Sequence, residues 1–338
     1  MSSMRVKLLY KIKAMLPCRV EIALRRLRAH IIEALSHDVW PICETAGGLP
    51  YKWNGWPDQK RFAVVLTHDV ESLYGLSHCR ELSTVEEERG FRSAFYFVPH
   101  RYCTPVALRD DLKDRGFEVG VHGLKHDGKL FQSKKIFDER AKSINEYLRD
   151  WGACGFRAPA MHHNLDWLRE LDILYDTSTF DTDPFQPQPD CLQRIFPLWI
   201  PPFERRPGYV ELPYTLAQDW KLFVILGKKN IDNWKRKIDW IAQKGGMVLL
   251  LTHPDYMRFN GGRGARACYP LEFYESLLRY LAEQYKNEFW HVLPRDMAKF
   301  WAALPAKHND FEAWANVSSD GVSRIFGAAR RIQAPRVT

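Results

Sequence analysis

What this 338-residue chain lacks narrows it first. Its seven cysteines, at positions 18, 43, 79, 103, 154, 191 and 268, are odd in number, scattered, and never spaced as a CxxC pair. That pattern argues against a zinc ribbon or a disulfide framework and fits a reducing compartment. No run of about 18 apolar residues occurs, so no transmembrane helix is expected. Lys7, Lys11 and Lys13 interrupt every apolar stretch near the N-terminus, so no secretory h-region is legible and a cytoplasmic protein is expected. The net charge of +8 is missing from the body of the chain: residues 1–37 carry +6, residues 317–338 carry +3, and the remainder carries −1. A near-neutral body with two basic ends does not look like a nucleic-acid-binding domain, and no such partner is expected.

What is present is organised around residues 61–71, where the apolar run Phe62 to Leu66 ends in Thr67, His68, Asp69, Val70 and Glu71. A short β-branched and aromatic run reads as a buried strand, here with Asp69 and Glu71 at its C-terminal end. If the extended backbone persists to Glu71, the spacing of two turns both carboxylates the same way. Further strands are expected at 94–98, 117–121, 155–157, 173–175, 247–252 and 289–293. Helices are expected near 79–89, 105–115, 134–150, 164–171, 231–244 and 270–286. Strand and helix in alternation over this length predict parallel βα units and a barrel-like α/β fold with function at the strand C-termini. The Pro-rich and acidic stretch 181–213 breaks the alternation and reads as a long irregular insertion or hairpin near the mouth.

The ends of the other strands carry ionisable residues too. Strand 117–121 runs into His122, with His126 four residues on; in a helical turn that spacing puts two imidazoles on one face, a way of presenting nitrogen ligands to zinc. Two imidazoles and one carboxylate leave zinc an open position for water, as in catalytic sites. Strand 155–157 ends in Arg157, and strand 247–252 in His253-Pro254-Asp255. Singly, an arginine reads as a salt bridge and a histidine as a core residue. Beside an acidic pair, the arginine can hold one carboxylate ionised and a histidine outside the metal shell can supply a proton.

This order of motifs, over roughly residues 60 to 300, resembles the polysaccharide deacetylase family (NodB-homology, carbohydrate esterase family 4-like). Its anchors are Thr67 to Glu71, His122 to His126, Arg157-Ala158-Pro159 and Leu251-Thr252-His253. The resemblance implies a distorted (β/α) barrel over residues 61–301, flanked by an N-terminal helical arm and aromatic linker (1–60) and a basic C-terminal tail (302–338). It implies metal-dependent removal of N-acetyl groups from an amino-sugar glycan or precursor, with Zn²⁺ the expected ion. Asp69 would be the catalytic base and Glu71, His122 and His126 the metal ligands. Arg157 would hold Asp69, and Asp219, followed by Trp220, would orient the proton-donating His253. The chain departs from the family at Val70, adjacent to the first acid, which is why Glu71 takes the ligand role, and at Met161, His162 and His163 after the third motif. Two rival readings stand beside it: a hydrolase of another C–N amide bond, and a catalytically inactive carbohydrate-binding protein of polysaccharide biosynthesis.

The ends of the chain are read separately. Residues 19–36 align Val20, Leu24, Leu27, Ile31 and Leu35 on one helical stripe, with Arg25, Arg26 and Arg28 mostly off it. The stripe either packs on the body or meets anionic lipid as an interfacial helix. The second case, with residues 1–37 touching the inner leaflet, fits a lipid-linked or cytoplasmic glycan precursor as substrate. In the linker, Tyr51, Trp53 and Trp56 either cover a core edge or stack on sugar rings. A short helix is expected around Phe311 to Trp314, followed by a basic tail.

Overall fold

The computed structural model describes residues 18–188, 190–259 and 267–317. Its centre is β1 (Phe62–Val70), buried along its whole length on both faces, as the apolar run requires of an interior parallel strand. Strand β1 extends beyond the apolar run because His68 and Asp69 find buried partners. Along one edge β1 pairs with β8 (Met247–Thr252) from Ala63 to His68. Along the other it pairs first with β9 (Phe289–His291) and then, from Thr67 onward, with β2 (Ala94–Phe97). The sheet continues in parallel through β3 (Glu118–His122), β4 (Gly155–Arg157), β5 (Tyr175–Asp176) and β7 (Tyr209–Glu211), and β6 (Leu198–Ile200) adds antiparallel to β7. Beyond β7 the backbone curls back to β8: Thr215 N and Leu216 N both donate to Leu249 O, and Leu249 N donates to the Thr215 hydroxyl. The result is a distorted barrel of parallel strands with helices outside.

Residues 181–213 therefore hold an antiparallel hairpin, β6–β7, as one of the two alternatives expected, but β7 is a stave of the barrel rather than part of an insertion at its mouth. The outer helices start and stop where local chemistry dictates. In α4 (Lys134–Trp151) the Ser133 hydroxyl accepts from Ile136 N, Gly152 ends the helix in the left-handed region, and Phe137, Ala141, Ile144, Leu148 and Trp151 form the buried face. The first expected helix begins earlier than its apolar spacing suggests: α2 is Leu73–Glu87, capped by Ser72. Helix α3 (Val106–Asp114), α5 (Asp232–Lys244), α6 (Glu272–Gln284) and α7 (Pro294–Ala303) complete the outer layer. The helix expected over 164–171 shrinks to a 3-10 turn, Trp167–Glu170, because the Asn164 side chain accepts from Asp166 N and Trp167 N while Leu171 turns extended.

Both ends of the described residues lie against this body. Trp53 and Trp56 join Phe196, Trp290, Phe300 and Trp301 in one aromatic cluster, and the Trp56 indole donates to Gly245 O. These rings close the barrel floor and are not offered to sugars. Helix α8 (Lys307–Val317) is pinned by the Trp314 indole on Leu192 O and by the buried ion pair Asp310–Arg194, 3.0 Å; the basic segment expected beyond it lies outside the described residues. Helix α1 (Cys18–Leu35) docks through Ala29 and Arg26, whose guanidinium donates to Val224 O, and through Glu33, which pairs with Lys228 at 2.7 Å. Its apolar stripe points away from the body: Leu24, Leu27, Ile31 and Leu35 are 52–79% exposed. The packing alternative fails because the contact face is the polar and small-residue side of the helix.

Candidate active site

The C-terminal ends of β1, β3, β4 and β8 bring the ionisable residues into one cluster. Asp69 is 2% exposed and receives Arg157 Nη1 at 2.9 Å. Arg157 is itself fully buried and fixed on all sides: it donates to Thr177 O and to the hydroxyls of Thr67 and Thr177, and it lies over the Tyr96 ring at 4.7 Å. Burial pushes the Asp69 carboxyl up, but Arg157, His122 and His253 outweigh it and hold the group below the usual range.

One residue past β1, the backbone turns into the α2 cap and Glu71 enters the cleft, about one-fifth exposed. Asp255 sets that turn by accepting from Glu71 N at 2.7 Å and from the Ser72 hydroxyl. The approach is close enough that a Cβ on Gly75, in the first turn of α2, would sit 2.4 Å from Asp255 Oδ2. The Glu71 carboxylate meets His126 Nε2 at 2.9 Å and the Tyr256 hydroxyl at 3.0 Å. Burial opposes its ionised form, yet His126, His253 and His122 hold it far below the ordinary value.

The His122 to His126 segment is not helical, contrary to the expectation from its spacing. Gly123 (φ 59°) and His126 (φ 52°) turn through the left-handed region, and a Cβ on Gly123 would strike Pro159 at 2.6 Å. The loop nevertheless brings the two imidazoles to 5.1 Å between ring centres. His122 Nδ1 lies 3.1 Å from Arg157 O, which can only accept, so that nitrogen carries the proton and Nε2 presents its lone pair. Nε2 is buried without a hydrogen-bond partner; Asp69 Oδ2, at 3.7 Å, is beyond reach. Burial lowers His122 to about 4, only partly offset by Asp69, so the ring is neutral.

One ligand atom each from Glu71, His122 and His126 lie within 4.8 Å of one another, which among the described residues is the group able to hold a metal ion. An orphaned, buried imidazole lone pair aimed into a carboxylate-plus-two-imidazole set fits a divalent cation of the zinc type. On the opposite wall, His253 Nδ1 bonds Asp219 Oδ1 at 2.7 Å, and its Nε2 faces Glu71 Oε1 at 3.8 Å. Asp219 is fully buried, accepts also from His253 N and from the Tyr269 hydroxyl, and caps a π-helical turn, Trp220–Ile225. Burial would lower His253, but Asp219, then Glu71 and Asp69, raise it to about 10.

All seven residues singled out in the sequence thus converge. Those missed are Asp255, Tyr256 and Tyr269, together with Thr67 and Thr177 around Arg157. Asp255 stands two residues from His253 and was readable as part of that motif; the two tyrosines lie in a 3-10 turn (Pro254–Tyr256) and a two-residue strand (Tyr269–Pro270) and act through one hydroxyl each, so no pattern marks them. His163, in the departing third motif, is buried with Nδ1 on Met161 O.

No family model and no curated protein matches this chain. Solved structures do. One described as a candidate polysaccharide deacetylase from Mycobacterium smegmatis superposes with a TM-score of 0.55 at 19% identity, over 76% of this chain and 94% of that one. Another, described in the same terms, from Pseudomonas aeruginosa PAO1 gives 0.56 at 16%, over 73% and 92%. A Puue allantoinase gives 0.54 at 15%, over 79% and 98%. The fold of this chain is therefore the distorted (β/α) barrel of the NodB-type polysaccharide deacetylase domain.

Proposed function

We propose that this chain is a metal-dependent hydrolase that removes N-acetyl groups from an amino-sugar glycan or glycan precursor. The observation that carries the reading is the buried, unpartnered Nε2 of neutral His122, grouped with Glu71 and His126 between an arginine-held carboxylate and an aspartate-held, protonated histidine. A bound divalent cation, Zn²⁺ by the donor set, would polarise the acetamide carbonyl and acidify water. Asp69, kept ionised by Arg157, accepts the proton of the attacking water. His253 donates its Nε2 proton to the departing amine nitrogen as the C–N bond breaks, leaving acetate and a free amine. Asp219 holds the ring and compensates its charge, and Tyr269 holds Asp219.

The likeness to an allantoinase supports a second reading, hydrolysis of a C–N amide bond in a small cyclic molecule. The two separate by product. Full-length protein loaded with Zn²⁺ is incubated with N-acetylglucosamine oligomers and, separately, with cyclic ureides. Acetate release from the oligomers is the expected result; ring opening without acetate release selects the second reading. Metal analysis accompanies it: Asp69→Asn should keep about one ion per chain and lose turnover, whereas His122→Ala should lose both. Full metal occupancy in His122→Ala would overturn the ligand assignment, and glycan binding with neither activity would select the noncatalytic reading.

A further inference from the structure

Helix α1 presents its apolar stripe, Leu24, Leu27, Ile31 and Leu35, outward while its opposite side is fastened to the body by Ala29, Arg26 on Val224 O and Glu33 on Lys228. The stripe is therefore held in a fixed orientation. On the docked side of the helix, between α1 and the π-helical turn, runs a groove of about 540 Å³. Its polar lining is Arg26, His30, Lys229 and Arg258, with apolar walls from Ile22 and Phe223 and no carboxylate among the described lining residues. Lys229, Arg258 and, on the helix, Arg28 are exposed.

We propose that this face is a docking surface for an anionic lipid bilayer, with the stripe entering the acyl boundary and the groove cations meeting lipid phosphates. An amphipathic helix binds such a surface through both apolar burial and charge. The charge decides against a second copy of the chain. At about 100° per residue Arg28 falls in the same sector as the stripe, so pairing two stripes would set like charges together, whereas anionic headgroups neutralise them. Residues 1–37 add to the attraction with eight cations against two acids. The surface joins the catalytic cluster through the π-helical turn, since Asp219 caps it and Trp220 packs on Tyr256 with ring centres 4.5 Å apart.

The test is flotation of the full-length protein with phosphatidylcholine vesicles, alone or mixed with phosphatidylglycerol. It reads no catalysis, so its outcome is independent of the reaction assigned above. The protein should float with the mixed vesicles about tenfold more than with the neutral ones, and raised salt should release it. The double variant Leu27→Glu, Ile31→Glu should lose that binding by about tenfold or more without changing its melting temperature, because both positions are exposed. A second variant, Lys229→Glu with Arg258→Glu, should weaken binding roughly threefold and flatten the salt dependence. Absence of flotation with mixed vesicles, or equal flotation by the Leu27→Glu, Ile31→Glu variant, would overturn the proposal. So would a dimer in light scattering that this variant dissolves, with no lipid binding, which would assign the face to a second copy.

Discussion

Two histidines face one another across the cleft and are pushed in opposite directions. His122 ends β3, is sealed against a backbone carbonyl, and sits at about 4 because burial outweighs the nearby Asp69 and Glu71, neither of which bonds its ring. His253 follows β8, is equally buried, and sits at about 10 because Asp219 touches both its ring and its backbone N–H. Burial alone would have made both neutral. The difference is the direct grip of Asp219 on His253, and it separates a lone-pair donor from a proton donor in one cluster. Pairs whose surroundings split their proton affinities in this way mark acid and base assignments better than either residue alone.

The sharpest way to erase the difference is Asp219→Asn, which preserves shape and removes the charge. His253 should then fall toward the ordinary imidazole range, and turnover should drop by about 10²- to 10⁴-fold, the usual contribution of a positioned acid. The sign of the pH effect follows: activity needs His253 protonated and is lost as pH rises through its pKa, so the alkaline limb should move to lower pH in the variant. Rate–pH profiles at saturating metal check this, and an unmoved limb would remove His253 from the proton-donor role. A milder version is Tyr269→Phe, which leaves the charge and takes away one of the bonds to Asp219. It should cost about 1 kcal/mol, or roughly fivefold in kcat, with KM unchanged. An effect on KM alone would assign Tyr269 to the binding surface instead.

The strands that carry this pair were legible because each is a short apolar run ending in a charge: Phe62 to Asp69, Val119 to His122, and Met247 to His253. Strand β5 was expected at 173–175 and ends one residue later, but β6 and β7 were not legible, since each is three residues long within the Pro-rich stretch and β7 carries the buried Glu211. The His122–His126 spacing was read correctly as a meeting of two rings but wrongly as helical; Gly123 and the strained His126 backbone reach the same proximity by a turn. Helical periodicity found the apolar stripe of α1, but periodicity names a face without saying what the face points at. Here the body is contacted by Arg26, Ala29 and Glu33, leaving the leucines outside.

A third shifted group tests whether such shifts belong only to chemistry. Glu118 starts β3, about 13 Å along the strand from His122 at 3.3 Å per residue, and it lies on the barrel floor. It accepts from the Tyr175 hydroxyl at 2.7 Å and from Arg295 N at 3.0 Å, yet burial outweighs these bonds and raises it from 4.5 to about 7. Its partners are a tyrosine hydroxyl and a backbone N–H on the barrel floor rather than a group of the cleft, so its shift should appear in stability and not in turnover. The unfolded chain ionises this acid near its ordinary value while the folded chain keeps the proton. Its contribution is therefore fully present below about pH 4.5 and lost as pH rises through about 7. Glu118→Gln cannot ionise. Wild type should melt at or above the variant near pH 5, and the variant should melt higher by a few degrees above about pH 8, corresponding to roughly 1–3 kcal/mol. A melting-temperature difference that stays constant across that range would mean the carboxyl is ionised in the fold throughout, and a change in kcat would tie the barrel floor to the cleft through Tyr175, Tyr96 and Arg157.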